Sequence, residues 1–327
     1  MQRRHWFLAA ISAVFLTACG GSDDDDPVVV TPETIAATAQ SAGLTALVAA
    51  ADKAGLVPTL SADDTNVTVF APTDEAFTEL ATTLGFADAG DMVAKLDADT
   101  LAKILTYHVV AGRVAAADLV AAGATSTAET LYEFEGAPAT LAVDTTAGVK
   151  LTDAVLTAAT VTTADVEASN GIVHVIDKVL VPPGVLNLVQ MAQLNPAFSS
   201  LVDAVVARGL VPTLSGPGPF TVFAPTDDAF ADVADIVATL TGDQLTAVLT
   251  YHVLGSQVLS SGIPFGVPVA TVQGQEITIT AGGAGGAIAS ILDNSDITTS
   301  PSGITAVDIR ASNGVIHVID QVLVPAL

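Results

Sequence analysis

The sequence predicts an α+β fold of helices followed by strands, written twice. Two observations carry this. Four blocks recur in the same order: Gly55–Leu60 as Gly209–Leu214, Val69–Phe77 as Val222–Phe230 with Asp228 for Glu75, Leu105–Val109 as Leu249–Val253, and Ala168–Pro182 as Ala311–Pro325. Within each copy, the first half has apolar residues at helical spacing and the second half is rich in Thr, Val and Ile broken by Gly and Asp. Blocks this long read as two complete globular units rather than as a stacked solenoid. The boundaries this implies are 32–183 for the first domain and 184–327 for the second, joined at Pro182-Pro183-Gly184, which stops a strand and forbids helix continuation.

Each copy opens on a helix, because Leu44, Leu47, Val48 and Ala51, and likewise Phe198, Leu201, Val202 and Val205, share one helical face. A short strand follows, Val67–Phe70 and Phe220–Phe223. Ala-Pro-Thr-Asp then turns the chain into a helix. Thr73 and Thr226 stand at the N-cap, and Asp74 and Asp227 in the first turn suit the positive helix end, which accounts for these acids without catalysis. A further helix ends near Tyr107 and Tyr251, and several strands complete each copy. Asn170-Gly171 and Asn313-Gly314 read as tight turns, each followed by a strand running to proline. The first copy holds nine more residues between Phe77 and Leu105, which we assign to a surface loop over Thr83–Asp91. The glycine-rich stretch 281–287 reads as a flexible loop between strands.

The N-terminal residues read as an address. Arg3 and Arg4 precede an eleven-residue apolar run, Trp6–Leu16, too short to span a bilayer. Leu16-Thr17-Ala18-Cys19 resembles a bacterial lipobox, so residues 1–18 are expected to be a signal peptide and Cys19 the lipidation site. Cys19 is the only cysteine, which excludes an intramolecular disulfide and a cysteine metal site. Residues 19–31, with Asp23–Asp26, read as an extended acidic tether without EF-hand spacing. The expected location is the bacterial cell envelope, with membrane contact through the lipid anchor only. Removing residues 1–18 takes the net charge from −25 to −27. A phosphate backbone must be met by Lys and Arg, so nucleic acid is excluded as a partner. Neutral, cationic or calcium-bridged partners remain, and divalent cations are possible but not required.

Thr68–Phe77, Tyr107-His108 and Gly171–Pro182 resemble, in order, the three motifs of the fasciclin (FAS1) domain family. The second copy repeats them at Thr221–Phe230, Tyr251-His252 and Gly314–Pro325. The resemblance covers residues 32 to 326. It implies a wedge of β-strands with packed helices, and adhesion or ligand binding outside the cell without catalysis. In animal members the tyrosine–histidine region and a nearby Asp-Ile element are associated with integrin binding. Tyr107, His108, Tyr251 and His252 are therefore candidate binding residues. The first copy has Asp118-Leu119 in place of Asp-Ile, and the second has Ser260-Ser261-Gly262-Ile263 with no acid.

A histidine site would need His108 with His174, and His252 with His317, with Asp177 and Asp320 as the acids that could join them. His174 and Asp177 lie three apart on a strand and point to opposite faces, while His174 shares a face with Ile172 and Ile176. A buried histidine hydrogen-bonded to backbone or a tyrosine fits better. No Gly-x-Ser-x-Gly, His-Glu-x-x-His or P-loop is present, so no enzyme, metal or cofactor is expected. The sequence thus points to an envelope lipoprotein presenting two modules to an unknown protein or polysaccharide at the cell surface, for attachment, matrix contact or biofilm cohesion. The alternative is an envelope carrier of a small apolar ligand, since some fasciclin relatives bind carotenoids; the ligand is then a carotenoid or a lipid.

Overall fold

The computed structural model describes residues 32–62, 64–283, 287–293 and 301–327. The expected signal peptide, tether and Cys19, and the centre of the 281–287 loop, lie outside the described residues. In the first copy, α1 (Ile35–Ser41), α2 (Thr45–Lys53) and α3 (Val57–Leu60) lead to β1 (Val67–Pro72). Next come α4 (Asp74–Thr83), α5 (Ala89–Lys95), α6 (Ala98–Tyr107), β2 (Val109–Ala111) and α7 (Ala116–Ala121). Five strands complete it: β3 (Thr125–Phe134), β4 (Ala137–Asp144), β5 (Lys150–Thr152), β6 (Ala158–Ala168) and β7 (Gly171–Ile176).

The second copy repeats this order. It has α8 (Leu188–Leu194), α9 (Ser199–Ala207), α10 (Val211–Leu214), β8 (Phe220–Pro225), α11 (Asp227–Asp232), α12 (Ala234–Val237), α13 (Gly242–Tyr251) and β9 (Val253–Leu254). A 3-10 turn, Ser260–Gly262, stands where α7 stood, before β10 (Pro268–Ala270), β11 (Glu276–Ala281), β12 (Ala289–Leu292), β13 (Ser302–Ala311) and β14 (Gly314–Ile319).

Strand β1 explains the layering. It pairs antiparallel with β2 and parallel with β7, from Val67↔Gly171 to Pro72↔Ile176. All six of its residues are buried, because both of its faces are covered. Val69 and Ala71 meet the helical side with Phe77 and Leu105, while Phe70 meets Tyr107, Leu141 and Ile176 within the sheet. Each copy therefore has two apolar cores, one between helices and sheet and one inside the curled sheet. In the first copy the pairing of β2 with β3 at Val110↔Thr130 closes β1–β7 into a barrel. Among the described residues of the second copy the sheet runs β10-β11-β12-β13-β14-β8-β9, with no ladder between β9 and β10.

Three details differ from the sequence reading. The nine-residue surplus is not one surface loop. It lengthens α4 to ten residues against six in α11, and gives α5 seven residues against four in α12. Thr83–Asp91 thus spans the end of α4, a turn and the start of α5, and Met92 and Val93 just beyond it are buried in the helical core. The turn before β7 is Ser169-Asn170, one residue earlier than Asn-Gly, because Ala168 pairs with Gly171 across the hairpin. Gly171 is required by space instead, since a Cβ there would lie 2.1 Å from the Val67 carbonyl oxygen. Finally, β7 and β14 end at Ile176 and Ile319, well before the prolines. Asp177 and Asp320 turn the chain away by accepting from the Thr160 and Gly303 amides at 2.6 Å.

The copies share a core. Val155 and Val181 of the first pack in the cluster that holds Met191 and Phe198 of the second. Asn195 Nδ2 donates to the Val155 carbonyl at 2.9 Å. The β3–β4 hairpin ends on Glu135-Gly136, both at positive φ. That turn presents Glu135 to Arg310, whose guanidinium also lies 5.2 Å from the Phe134 ring centre.

Candidate functional site

Helix α6 ends at Tyr107 and hands the chain to β2 through His108, so both side chains turn inward. Tyr107 and His108 are each 1 % exposed, and Tyr251 and His252 are equally buried. Tyr107 Oη donates to the Thr140 carbonyl at 3.0 Å, and Tyr251 Oη to the Glu276 carbonyl at 2.9 Å, tying the helix to β4 and β11. His108 Nδ1 donates to the Ile104 carbonyl at 2.8 Å, while its Nε2 accepts from the Leu180 amide at 2.8 Å. His252 does the same with Val248 and Leu323, at 2.8 and 2.9 Å. One nitrogen donates and the other accepts, so each ring is neutral. Burial pulls both histidines down to about 4, against which the backbone acceptor pulls upward. Tyr107 is pushed above the ordinary tyrosine range, first by burial and then by the charge of Asp153.

His174 and His317 hold the opposite tautomer. The Asp165 amide donates to His174 Nδ1 at 3.2 Å, and His174 Nε2 donates to the Val114 carbonyl at 2.9 Å. Asp308 and Val258 serve His317 at 3.3 and 2.8 Å. The register of β6 against β7 shifts on both sides of Thr163, and Asp165 has φ 56°, which places its amide on the ring. Phe70 stacks on His174 at 5.5 Å and Phe223 on His317 at 5.7 Å. Burial lowers His317, opposed by the Val258 bond and the charge of Asp308. The structure does not join His108 to His174, nor either to Asp177. Among the described residues no group of three or more His, Asp or Glu side chains is placed to hold a metal ion.

The remaining motif residues are spent on packing. Thr73 and Thr226 cap α4 and α11 by accepting from the Ala76 and Ala229 amides at 3.2 and 3.3 Å. Asp74 lies in the first turn of α4, but its carboxylate caps the neighbouring α2, accepting from the Ala46 amide at 2.8 Å and from the Thr45 hydroxyl. Asp227 serves α9 through the Ser200 amide at 2.7 Å and the Ser199 hydroxyl. Burial raises Asp227, yet the bonds from Ser199 and Ser200 outweigh it and hold the carboxyl below its usual range. Asn170, 3 % exposed, makes three bonds across long loops: from the Ile35 amide at 2.8 Å, and to the Leu60 and Ala62 carbonyls at 2.9 and 3.0 Å. Asn313 repeats this with Leu188, Leu214 and Gly216. Asp118 caps its own helix through the Ala115 amide at 2.9 Å.

Two features were not singled out from the sequence. Asp153, 6 % exposed, accepts from the Val181 amide at 2.9 Å and the Thr157 and Val155 amides at 3.1 Å. Burial still pushes it up to about 6, against those bonds. The second is a cavity of about 290 Å³ between α1–α3 and the sheet of the first copy, with Ile35, Leu47, Val48, Leu60, Val69 and Leu105 among its walls. The equivalent space in the second copy is about 40 Å³. Comparing the copies position by position could have found it, because Ala36 and Ala51 stand where Val189 and Val205 stand.

The Fasciclin domain matches residues 42–182 and 196–325. Protein sll1483 of Synechocystis is 37% identical over 147 residues, covering 43% of this chain and 75% of that protein. A second Synechocystis protein, sll1735, is 37% identical over 140 residues, 42% of this chain and 96% of its own length. Human periostin is 34% identical over 164 residues, 48% of this chain but only 18% of periostin. A solved FAS1 domain pair from the insect cell adhesion molecule fasciclin I aligns over 89% of this chain and 95% of that one, at 19% identity and a TM-score of 0.42. The chain belongs to the fasciclin domain family and carries that domain twice in tandem.

Proposed function

We propose that this protein is a lipid-anchored component of a bacterial cell envelope that presents two fasciclin domains for attachment, matrix contact or biofilm cohesion. The observation that carries the reading is the fate of the motif residues. His108, His174, His252 and His317 are all buried and bonded through both ring nitrogens to backbone, which leaves no proton acceptor or metal ligand among them for chemistry. Such motifs build a surface rather than act on a substrate, and fasciclin domains occur in cell-adhesion proteins. Cys19 is the anchor in this reading, and the partner is a protein or polysaccharide at the cell surface. Two modules on one chain can bind together and gain avidity. The test is whole-cell attachment and aggregation after gene deletion, with complementation by the wild-type gene and by Cys19→Ala. Deletion is expected to reduce both, and only the wild-type gene to restore them. Unchanged attachment in the deletion strain sinks the adhesion reading.

The cavity supports a second reading, carriage of a small apolar ligand, because buried apolar space with a few polar groups is what such a ligand needs.

A further inference from the structure

We propose that the cavity of the first domain binds one unbranched aliphatic chain with an uncharged head, and that the second domain has no such site. This rests on the carrier reading above. Size sets the first limit. At roughly 30 Å³ per carbon, about what a water molecule takes in the liquid, a space of about 290 Å³ holds on the order of ten carbons. A forty-carbon polyene or a fused ring system exceeds it, whereas a flexible chain can follow its walls.

The polar groups set the second limit. Thr34, Gln40, Ser61 and Thr65 are among the lining residues, and all four are at least partly exposed, so they mark its open side, while the buried His108 lines it with both ring nitrogens already bonded. Among the described residues no Lys, Arg, Asp or Glu lines the cavity. The chain carries 35 acidic against 10 basic residues. A carboxylate or phosphate head would find no cation at the mouth and would sit in a repulsive field. A hydroxyl or ester head can exchange hydrogen bonds with these threonines, Ser61 and Gln40.

The second domain supplies an internal control. The Ile35 and Leu188 amides both donate to the turn asparagine, which makes these positions equivalent and sets Ala36 against Val189. By the same repeat, Ala51 corresponds to Val205 and Val173 to Ile316, and all six residues line the respective spaces. The second domain thus adds five carbons at these three positions. At roughly 30 Å³ each they fill about 150 Å³, which is over half of the difference between about 290 and 40 Å³.

The experiment is calorimetric titration of the full-length mature protein with 1-decanol and with decanoate at pH 8, backed by native mass spectrometry and a β-carotene uptake assay. One decanol per chain is expected, with decanoate at least tenfold weaker. Ala36→Val/Ala51→Val, which copies the second domain, is expected to lose decanol at least tenfold while its melting temperature stays level or rises. The single Ala51→Val is the milder variant, with an intermediate loss. Equal binding of decanoate overturns the neutral-head assignment. Undiminished binding in both variants overturns the site. Uptake of β-carotene without decanol overturns the aliphatic class but leaves carriage standing, and binding of no probe overturns both.

Discussion

His108 and His252 are held near 4 in the folded protein by burial, against an ordinary value of 6.5. The unfolded chain therefore takes up protons first as pH falls. Their contribution is complete above pH 6.5 and is lost on acidification towards 4, by up to about 1.4 kcal/mol per pH unit for each ring. His317, also lowered by burial, adds in the same sense. Asp153 has the opposite sign. Its folded value of about 6 lies above its ordinary 3.8, so it favours the fold increasingly as pH falls through that window. Urea midpoints measured from pH 7.5 to pH 4.5 should fall, and Asp153→Asn should steepen the fall by about one proton. A flat profile would contradict the buried neutral histidines. His108→Ala strands the Leu180 amide and the Ile104 carbonyl and opens a void, at a cost of about 3 kcal/mol. We expect it to lower the melting temperature. If it spares stability and abolishes attachment, the side chain has a direct functional role.

At the scale of the element, the asparagine before β7 holds three segments together. Asn170→Ala removes three hydrogen bonds, one buried and two part-buried, that join α1 and the end of α3 to the hairpin, and should cost about 3 kcal/mol by denaturant melting. Asp74→Ala removes the cap from α2 and should cost about 1 kcal/mol. Much of this was legible in the sequence. Helices α2 and α9 show because one face is apolar and the other wet, and Thr73 shows because an N-cap is a local event. What was not legible is what distance in space decides. Asp74 reads as an acid in its own helix, yet its carboxylate reaches residues 28 and 29 positions away. Gly171 reads as a turn residue, yet it is small because Val67 of a parallel neighbour lies against it. The surplus over Thr83–Asp91 reads as a loop because Gly and Asp are frequent there, while the buried residues that continue the helix, Met92 and Val93, lie just beyond.

For the whole molecule, the shared core around Val155 couples the two domains. The repeats that made the domains visible could not show this, because the contact joins positions that differ between copies. Val155→Asp places a charge against Phe198 and Met191, with an expected cost of several kcal/mol. Wild-type protein should melt in one transition and Val155→Asp in two, as read by calorimetry. A single unshifted transition in the variant would show that this contact does not couple the domains.

The open sheet of the second domain has one more consequence. A row of unpaired backbone groups invites strands from other molecules. The first domain avoids this by closing its barrel. Among the described residues the second leaves two edges, but β9 has two residues and its Val253 carbonyl already accepts from the Val272 amide at 2.7 Å, and β10 has three and begins with Pro268, which lacks an amide hydrogen. Edges this short and interrupted offer little to template a fibril, so the open domain is guarded against aggregation by brevity where its twin is guarded by closure.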